Sequence, residues 1–213
     1  MNDSLGRIHP QRRTGNERLH SRGYSVHDKA TLLNFWEWYG SDILNNTERG
    51  IFAEYIVAFA INGVTVMSDA REGWDSYDLI SPDGVKIEVK SSGYKQSWKQ
   101  EKESIPTFDI ARKLVWDAET DTFSDDQVRS ADVYVFCLYN PRAAYAPNML
   151  DPLDVSQWDF FVLPTYVLEK NAPEQKSIGI SGLNRLGARK VPFDQIRSTI
   201  CEMISLSDRT TVT

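Results

Sequence analysis

The sequence has few of the residues on which several common catalytic chemistries depend. Its three histidines, His9, His20 and His27, all lie within the first 27 residues. Unless this segment folds back over the rest of the chain, Ser-His-Asp, Cys-His and histidine–metal sites are therefore disfavoured. The two cysteines, Cys137 and Cys201, lie in separate apolar runs. We expect both to be buried thiols, and neither a disulfide nor a zinc site.

Long hydrophobic runs are also missing. The longest apolar run, residues 51–61, is interrupted by Glu54 and falls well short of the roughly 20 residues that span a bilayer. The N-terminus has no apolar core of the kind found in a secretory signal peptide. With 41% hydrophobic and 25% charged residues, the composition is that of an ordinary soluble protein. We therefore expect a cytoplasmic protein with no membrane partner.

The net charge of −6 does not by itself indicate a nucleic-acid partner, but charge is unevenly distributed. Residues 1–30 contain six Arg or Lys against three acids, and residues 86–102 contain five lysines against two glutamates. Residues 1–26 are polar and lack apolar periodicity, which predicts a basic arm or a poorly ordered leader. Residues 27–213 are long enough for one domain with a sizeable core.

Hydrophobic periodicity in that domain predicts helices before and after a mainly β centre. This pattern is typical of an α/β fold with a mixed central sheet flanked by helices. The predicted helices cover residues 28–44, 48–61 (with Thr47 as cap and Asn62-Gly63 as stop), 94–103 and 191–204. The predicted strands cover residues 64–67, 76–80, 85–91, 108–116, 131–139 and 158–168, with a solvated acidic loop at 117–130 and a Pro-rich loop at 140–157.

The segment from residue 74 to residue 98 carries the most informative pattern. Along residues 85–90, Val85, Ile87 and Val89 alternate with Lys86, Glu88 and Lys90. The preceding Pro82-Asp83-Gly84 suits a three-residue hairpin loop that ends with glycine in the left-handed conformation. That register places Asp78 opposite Glu88, on the face that also carries Lys90. A two-residue loop would pair Asp78 with Ile87 instead, and we prefer the first register.

Two neighbouring carboxylates and a lysine on one face suit a divalent cation, because adjacent negative charges repel unless a positive charge lies between them. Mg²⁺ favours one or two carboxylates together with water and substrate phosphate. A simpler alternative is an exposed cross-strand charge pair. Asp75 is a rival to Asp78, but the alternation places Asp75 on the opposite face.

Glu54 lies in a run that is apolar on nearly every face of the predicted second helix. An ionised carboxylate in such surroundings needs a cation, which either a metal or an arginine can supply. The metal of the hairpin site is one candidate. Arg49 and Arg71 are the structural alternatives.

Asp78, Glu88 and Lys90, spaced D-x9-E-x-K across a hairpin, resemble the core of the PD-(D/E)XK nuclease superfamily, which has the restriction-endonuclease-like fold. Arg49, Gly50 and Glu54 are similar to the first helix of several members. The resemblance implies that Asp78, Glu88 and the Val89 carbonyl bind Mg²⁺, for which Mn²⁺ can substitute. It also implies that Lys90 serves the attacking water and that Glu54 supports the metal site.

The chain departs from the family pattern at one position and leaves a second position open. Tyr77 stands where the proline of the motif would be. Some members also use a glutamine after the lysine, and Gln96 and Gln100 are both available. A predicted helical face in the same region would bind nucleic acid, although an ordinary amphipathic surface helix with a buried tryptophan is the alternative. The candidate nucleic-acid-binding residues are Lys95, Gln96, Trp98, Lys99 and Gln100.

The expected function is therefore metal-dependent hydrolysis of phosphodiester bonds in DNA. A homodimer is a candidate assembly, because cutting both strands often needs two sites. A chain of this length has little room for a separate recognition domain, so a protein partner is a candidate for recognising the target. Two alternatives remain open: a non-catalytic nucleic-acid-binding module of the same fold, and an α/β interaction protein in which the motif is due to chance.

Overall fold

A mixed five-stranded β-sheet forms the centre of the protein. The computed structural model describes residues 10–63, 70–71, 76–117, 122–143 and 150–210. The strands, in chain order, are β1 (His20–Ser21), β2 (Tyr24–Ser25), β3 (Leu79–Ile80), β4 (Lys86–Gly93), β5 (Thr107–Asp109), β6 (Lys113–Asp117), β7 (Thr122–Val128), β8 (Val133–Tyr139), β9 (Trp158–Pro164), β10 (Ser177–Gly179) and β11 (Arg189–Val191). The α-helices are α1 (Leu32–Gly40), α2 (Asn46–Asn62), α3 (Thr165–Asn171), α4 (Ile180–Arg185) and α5 (Ile196–Thr210).

The central sheet has the spatial order β11-β9-β8-β4-β3. β4 and β8 are parallel, with Ile87 opposite Val133 and Gly93 opposite Tyr139, and the other neighbouring strands are antiparallel. The smaller pairs β1–β2, β5–β10 and β6–β7 lie outside this sheet. The predicted α/β class, with a mixed sheet flanked by helices, is confirmed.

The sheet has a hydrophobic core on each face, which is why β8 and β9 are buried along their whole length. On one face, alternate residues such as Val133 and Val135 pack with Val57 of α2 and Ile196 of α5. On the other face, the intervening residues pack with side chains of β5, α3, β10 and α4, such as Leu168 of α3. Burial of each large apolar side chain contributes about 1.5–3 kcal/mol. β4 contributes Ile87 and Val89 to the first of these cores, and this fixes the strand against α2.

Helix α2 begins one residue after Asn45, whose side-chain oxygen accepts hydrogen bonds from the amides of Thr47 and Glu48 (3.0 and 3.3 Å). The prediction of Thr47 as the cap was therefore wrong. The helix stops at Gly63, which has a positive φ of 58°. The stop signal at Asn62-Gly63 was predicted correctly.

Several other predicted boundaries were wrong. The first helix is shorter than residues 28–44 because Thr31 caps it one residue before Leu32. The strand predicted over residues 76–80 comprises only Leu79 and Ile80. The strand predicted over residues 158–168 ends at Pro164, and α3 begins at the next residue. The last helix begins at Ile196, after a 3-10 turn at Phe193–Gln195. Residues 94–103 are not helical, and part of the predicted acidic loop is strand β7.

Three further predictions concern a strand, a rival ligand and the two cysteines. The predicted strand at 64–67 and the rival ligand Asp75 lie outside the described residues. Cys137 is buried as expected, but Cys201 is exposed, because α5 turns it away from the core. None of the described helices is long and apolar enough to cross a membrane.

Residues 14–40 form a small N-terminal unit. The amides of Leu32 and Leu33 donate to the carbonyls of Glu17 and Gly15 (2.8 and 2.9 Å), and this ties the segment to the start of α1. α1 contains no buried residue. Its side chains therefore contribute little to either core of the sheet.

Candidate active site

The β3–β4 hairpin has the register that the sequence predicts. Leu79 lies opposite Ile87, and the Asp78 amide donates to the Ile87 carbonyl (3.1 Å). The turn is closed by Gly84, whose amide donates to the Ser81 carbonyl (2.9 Å) and whose φ is +81°. A left-handed residue at this place completes a three-residue loop, and the alternative two-residue loop is excluded. The register places Asp78 opposite Glu88.

Asp78 and Glu88 form a carboxylate pair at the edge of the sheet. Glu88 is buried, at 6% exposure, so the alternative of an exposed charge pair was wrong. Burial raises the pKa of Asp78 to about 6, and the neighbouring charge of Glu88 adds to this effect. The Val89 amide donates to Asp78 Oδ2 (2.7 Å) and partly opposes the shift. The pair is thus held together at an electrostatic cost.

Two lysines contact the same oxygen of Glu88. Lys90 Nζ lies 2.5 Å from Glu88 Oε1, and Lys113 Nζ lies 3.2 Å from it. Lys90 and Glu88 were predicted to share a face, whereas Lys113 was not predicted as a site residue. It comes from β6, in a hairpin outside the central sheet. No local sequence pattern links it to Glu88, since the approach depends on how the β6–β7 hairpin packs.

Glu54 has an arginine partner in the structure. Arg71 contacts both oxygens of Glu54, through Nε (2.5 Å) and Nη2 (2.9 Å). This is one of the two structural alternatives that the sequence left open. The other, Arg49, donates instead to Gln96 Oε1 (2.8 Å) and Asn46 Oδ1 (2.6 Å). The negative charge of Glu54 also raises the pKa of Asp78, although by less than burial or the charge of Glu88 does.

Residues 94–104 form a loop held by two glutamines. Gln96 donates to the Gly93 carbonyl (3.1 Å), and Gln100 donates to Ser104 Oγ (3.0 Å). The two glutamines also contact each other directly, because the backbone amide of Gln96 donates to Gln100 Oε1 (2.8 Å). The predicted helical face is therefore absent from this segment. The loop instead contains several bends, and its ends are joined by the Ser104 amide, which donates to the Tyr94 carbonyl (3.0 Å).

The other candidate nucleic-acid-binding residues lie on the same loop. Lys95 pairs with Glu103 (3.3 Å), and Lys99 is exposed. Trp98 is 53% exposed, so the alternative of a buried tryptophan was also wrong. The loop thus places Trp98 and Lys99 at the protein surface.

The donor set at Asp78 and Glu88 fits Mg²⁺. Among the described residues, no three His, Cys, Asp or Glu side chains form a group that could hold a metal ion. A closed cage made only of side chains is therefore not available in that part of the chain. Two carboxylates supplemented by a backbone carbonyl and water are the ligands that Mg²⁺ accepts. A cation would also relieve the repulsion that raises the pKa of Asp78.

The carboxylate pair opens into a small cleft of about 160 Å³. Its lining combines side chains of the hairpin, the central sheet and the β6–β7 hairpin: Ser76, Asp78, Glu88, Lys113, Trp116 and Tyr134. Two carboxylates, which suit a cation, and the Lys113 ammonium group, which suits an anion, thus meet at one concave surface. The fold and this cleft define an α/β protein with a site suited to phosphate chemistry.

Comparison with known families agrees with this class. The sequence model of the family described as bacteriophage T4 endonuclease IV matches residues 31–181, which include the β3–β4 hairpin and Lys113. The chain belongs to this endonuclease family. A search of curated proteins finds no match. The match ends before β11 and α5, which complete the sheet and one of its cores.

Proposed function

We propose that the protein is a Mg²⁺-dependent endonuclease of the PD-(D/E)XK superfamily that hydrolyses phosphodiester bonds in DNA. The observation that carries the proposal is the register of the β3–β4 hairpin, which sets Asp78 against Glu88. Membership of an endonuclease family supports the reaction class. The superfamily, the metal and the residue roles are inferred from the site.

Asp78 and Glu88 would hold the metal, with the Val89 carbonyl as a third protein ligand and Mn²⁺ as a substitute ion. When bound, the metal would polarise the phosphodiester and lower the pKa of a water molecule. Glu54 would support this centre indirectly, because it is already engaged by Arg71. Its negative charge close to Asp78 favours a cation there.

Lys90 would act on the water and on the developing charge. Its side chain is 18% exposed and its ammonium group is held by Glu88, so its position is well defined. Hydrolysis requires water to lose a proton as the P–O bond breaks and the leaving oxygen to gain one. An ammonium group beside the water orients it and stabilises negative charge in the transition state.

The test is a cleavage assay on linear, circular, single-stranded and branched DNA with Mg²⁺, Mn²⁺ or a chelator. Asp78→Asn, Glu88→Gln and Lys90→Met are compared with wild type. Asp83→Asn is the matched control, because Asp83 is an exposed carboxylate in the turn of the same hairpin. We expect metal-dependent cutting that the three site variants lose and the control keeps.

Calorimetric titration of Mg²⁺ adds a measurement that does not depend on the choice of substrate. Asp78→Asn and Glu88→Gln should weaken metal binding, and Lys90→Met should not. Cutting that persists in chelator, or that survives Glu88→Gln, would contradict the proposed site.

A further inference from the structure

The second lysine at Glu88 is the feature that the proposed function does not use. Glu88 Oε1 receives Lys90 at 2.5 Å and Lys113 at 3.2 Å. A single carboxylate can balance only one positive charge. With Lys90 already in place, Lys113 adds a charge that Glu88 alone does not neutralise.

The surroundings of Lys113 indicate a role beyond a structural ion pair. Its side chain is 58% exposed, whereas that of Lys90 is 18% exposed. An ion pair with a lysine this exposed to solvent does little to stabilise the fold. Lys113 also lies on β6, whose only strand partner among the described residues is β7. Its ammonium group therefore reaches the cleft from outside the central sheet.

The charged groups around Lys113 come from two strands, β4 and β5. Glu88 on β4 contacts it directly, Lys90 shares the same oxygen, and Asp109 of β5 contributes a more distant negative charge. A cation bound at Asp78 and Glu88 would neutralise the two carboxylates in place of the lysines. Lys113 would then be the most exposed positive charge of this group, beside the open part of the cleft.

Resting on the proposed function, we propose that Lys113 is a further catalytic residue, which contacts a non-bridging oxygen of the scissile phosphodiester. Lys113 keeps its proton throughout and forms no covalent bond. It donates a charge-assisted hydrogen bond that strengthens as negative charge accumulates on the phosphoryl oxygens. Lys90 serves the water, and Lys113 serves the phosphate.

The test compares Lys113→Met and Lys113→Arg with wild type in steady-state cleavage and in Mg²⁺ titration without DNA. Lys170→Met is the matched control, since Lys170 is an exposed lysine on α3. Removal of a donor to a transition-state oxygen costs about 100-fold or more in kcat. We expect that loss in Lys113→Met, with KM changed by less than about threefold. Lys113→Arg should recover part of kcat because it keeps the positive charge, and Lys170→Met should match wild type.

Metal affinity separates this role from a structural one. Lys113 competes with a cation for Glu88, so Lys113→Met should bind Mg²⁺ as tightly as wild type or several-fold tighter while it cuts more slowly. If Lys113 instead held Glu88 in place, the variant would lose metal affinity and kcat together, and the inference would be overturned. A kcat within threefold of wild type would also overturn it. A wild-type protein that cuts no DNA with any metal would overturn the proposed function itself, and this inference with it.

Discussion

The backbone amide of Val89 donates a 2.7 Å hydrogen bond to the Oδ2 atom of Asp78. This bond joins the residue before β3 to the middle of β4, between Glu88 and Lys90. The first carboxylate of the candidate site is therefore positioned by the same strand that carries the other two groups. The arrangement keeps Asp78 beside Glu88 even though their charges repel.

Asp78→Asn should stabilise the metal-free protein. The raised pKa, about 6, means that the native state binds the Asp78 proton more tightly than the unfolded state does. The stability that the Asp78 proton contributes is thus fully present below the unfolded pKa of about 4 and is lost as pH rises through about 6. At neutral pH the substitution should add about 1–2 kcal/mol, allowing for solvent at this half-buried side chain. Urea unfolding in chelator, between about pH 4 and 8, measures the difference.

The same experiment with Mg²⁺ is the control for this prediction. Metal should stabilise wild type by mass action and leave Asp78→Asn unchanged, so the order of stability reverses at saturating metal. A variant that is less stable than wild type in chelator at neutral pH would show that the carboxylate pair carries no strain.

Gly84→Ala should destabilise the hairpin that carries the site. Gly84 has a φ of +81°, where any residue with a Cβ costs about 1–2 kcal/mol. Gly50→Ala is the matched comparison, because a Cβ on Gly50 in α2 meets nothing within 4 Å. In a helix interior this change should stabilise by about 0.5–1 kcal/mol. Thermal unfolding of the two variants should therefore move in opposite directions, and equal shifts would contradict the assignment of the turn.

Arg129→Met should be among the most destabilising substitutions. The Arg129 side chain is fully buried and donates to the carbonyls of Ile110 (2.7 Å) and Ala172 (3.1 Å) and to Glu169 (2.8 Å). Methionine would leave these carbonyl groups without their donor, and each unsatisfied buried polar group costs about 1–3 kcal/mol. Arg112→Met removes a more exposed partner of the same Glu169 and should destabilise the protein far less. Urea midpoints that agree within error would show that burial does not decide the effect.

Glu169→Gln should reduce stability in a pH-dependent way. Hydrogen bonds from Arg112 and then Arg129 lower the pKa of Glu169 below its usual value. The native carboxylate therefore contributes stability above the unfolded pKa of about 4.3, and this contribution is lost as pH falls through the lower native pKa. The difference between wild type and variant should be largest near pH 7 and should shrink below about pH 4. A difference that is constant with pH would exclude the ionised form as its source.

The sequence was most informative where one local rule decided the structure. The alternation along β4 and the Pro82-Asp83-Gly84 turn were sufficient for the register that opposes Asp78 and Glu88. The apolar runs at residues 131–139 and 158–168 predicted the strands β8 and β9, and both strands are buried along their whole length. In each case the pattern and the tertiary structure favoured the same conformation, so propensity was a sound guide.

Elsewhere, tertiary contacts overrode local preference. Gln96 and Gln100 donate to backbone carbonyls of their own loop, and this stabilises an irregular, bent loop where a helix was predicted. The acidic sequence of β7 predicted a loop, but the segment pairs with β6. Across that pair Trp116 packs edge to face with Phe123, with 5.0 Å between the ring centroids. Lys113 escaped prediction for the same reason, since its approach to Glu88 depends on where this hairpin packs.

The parallel pairing of β4 with β8 has a consequence for the order of folding. The Lys86 amide donates to Asp132 at a separation of 46 residues along the chain, whereas Asp78 and Val89 are separated by 11. A hairpin closes in about 1–10 μs, while parallel strands from distant segments pair much more slowly because a long loop must be closed first. The two carboxylates can thus meet early, in water, where their repulsion is weak. The free-energy penalty of placing them side by side arises only when β8 docks and the sheet is buried.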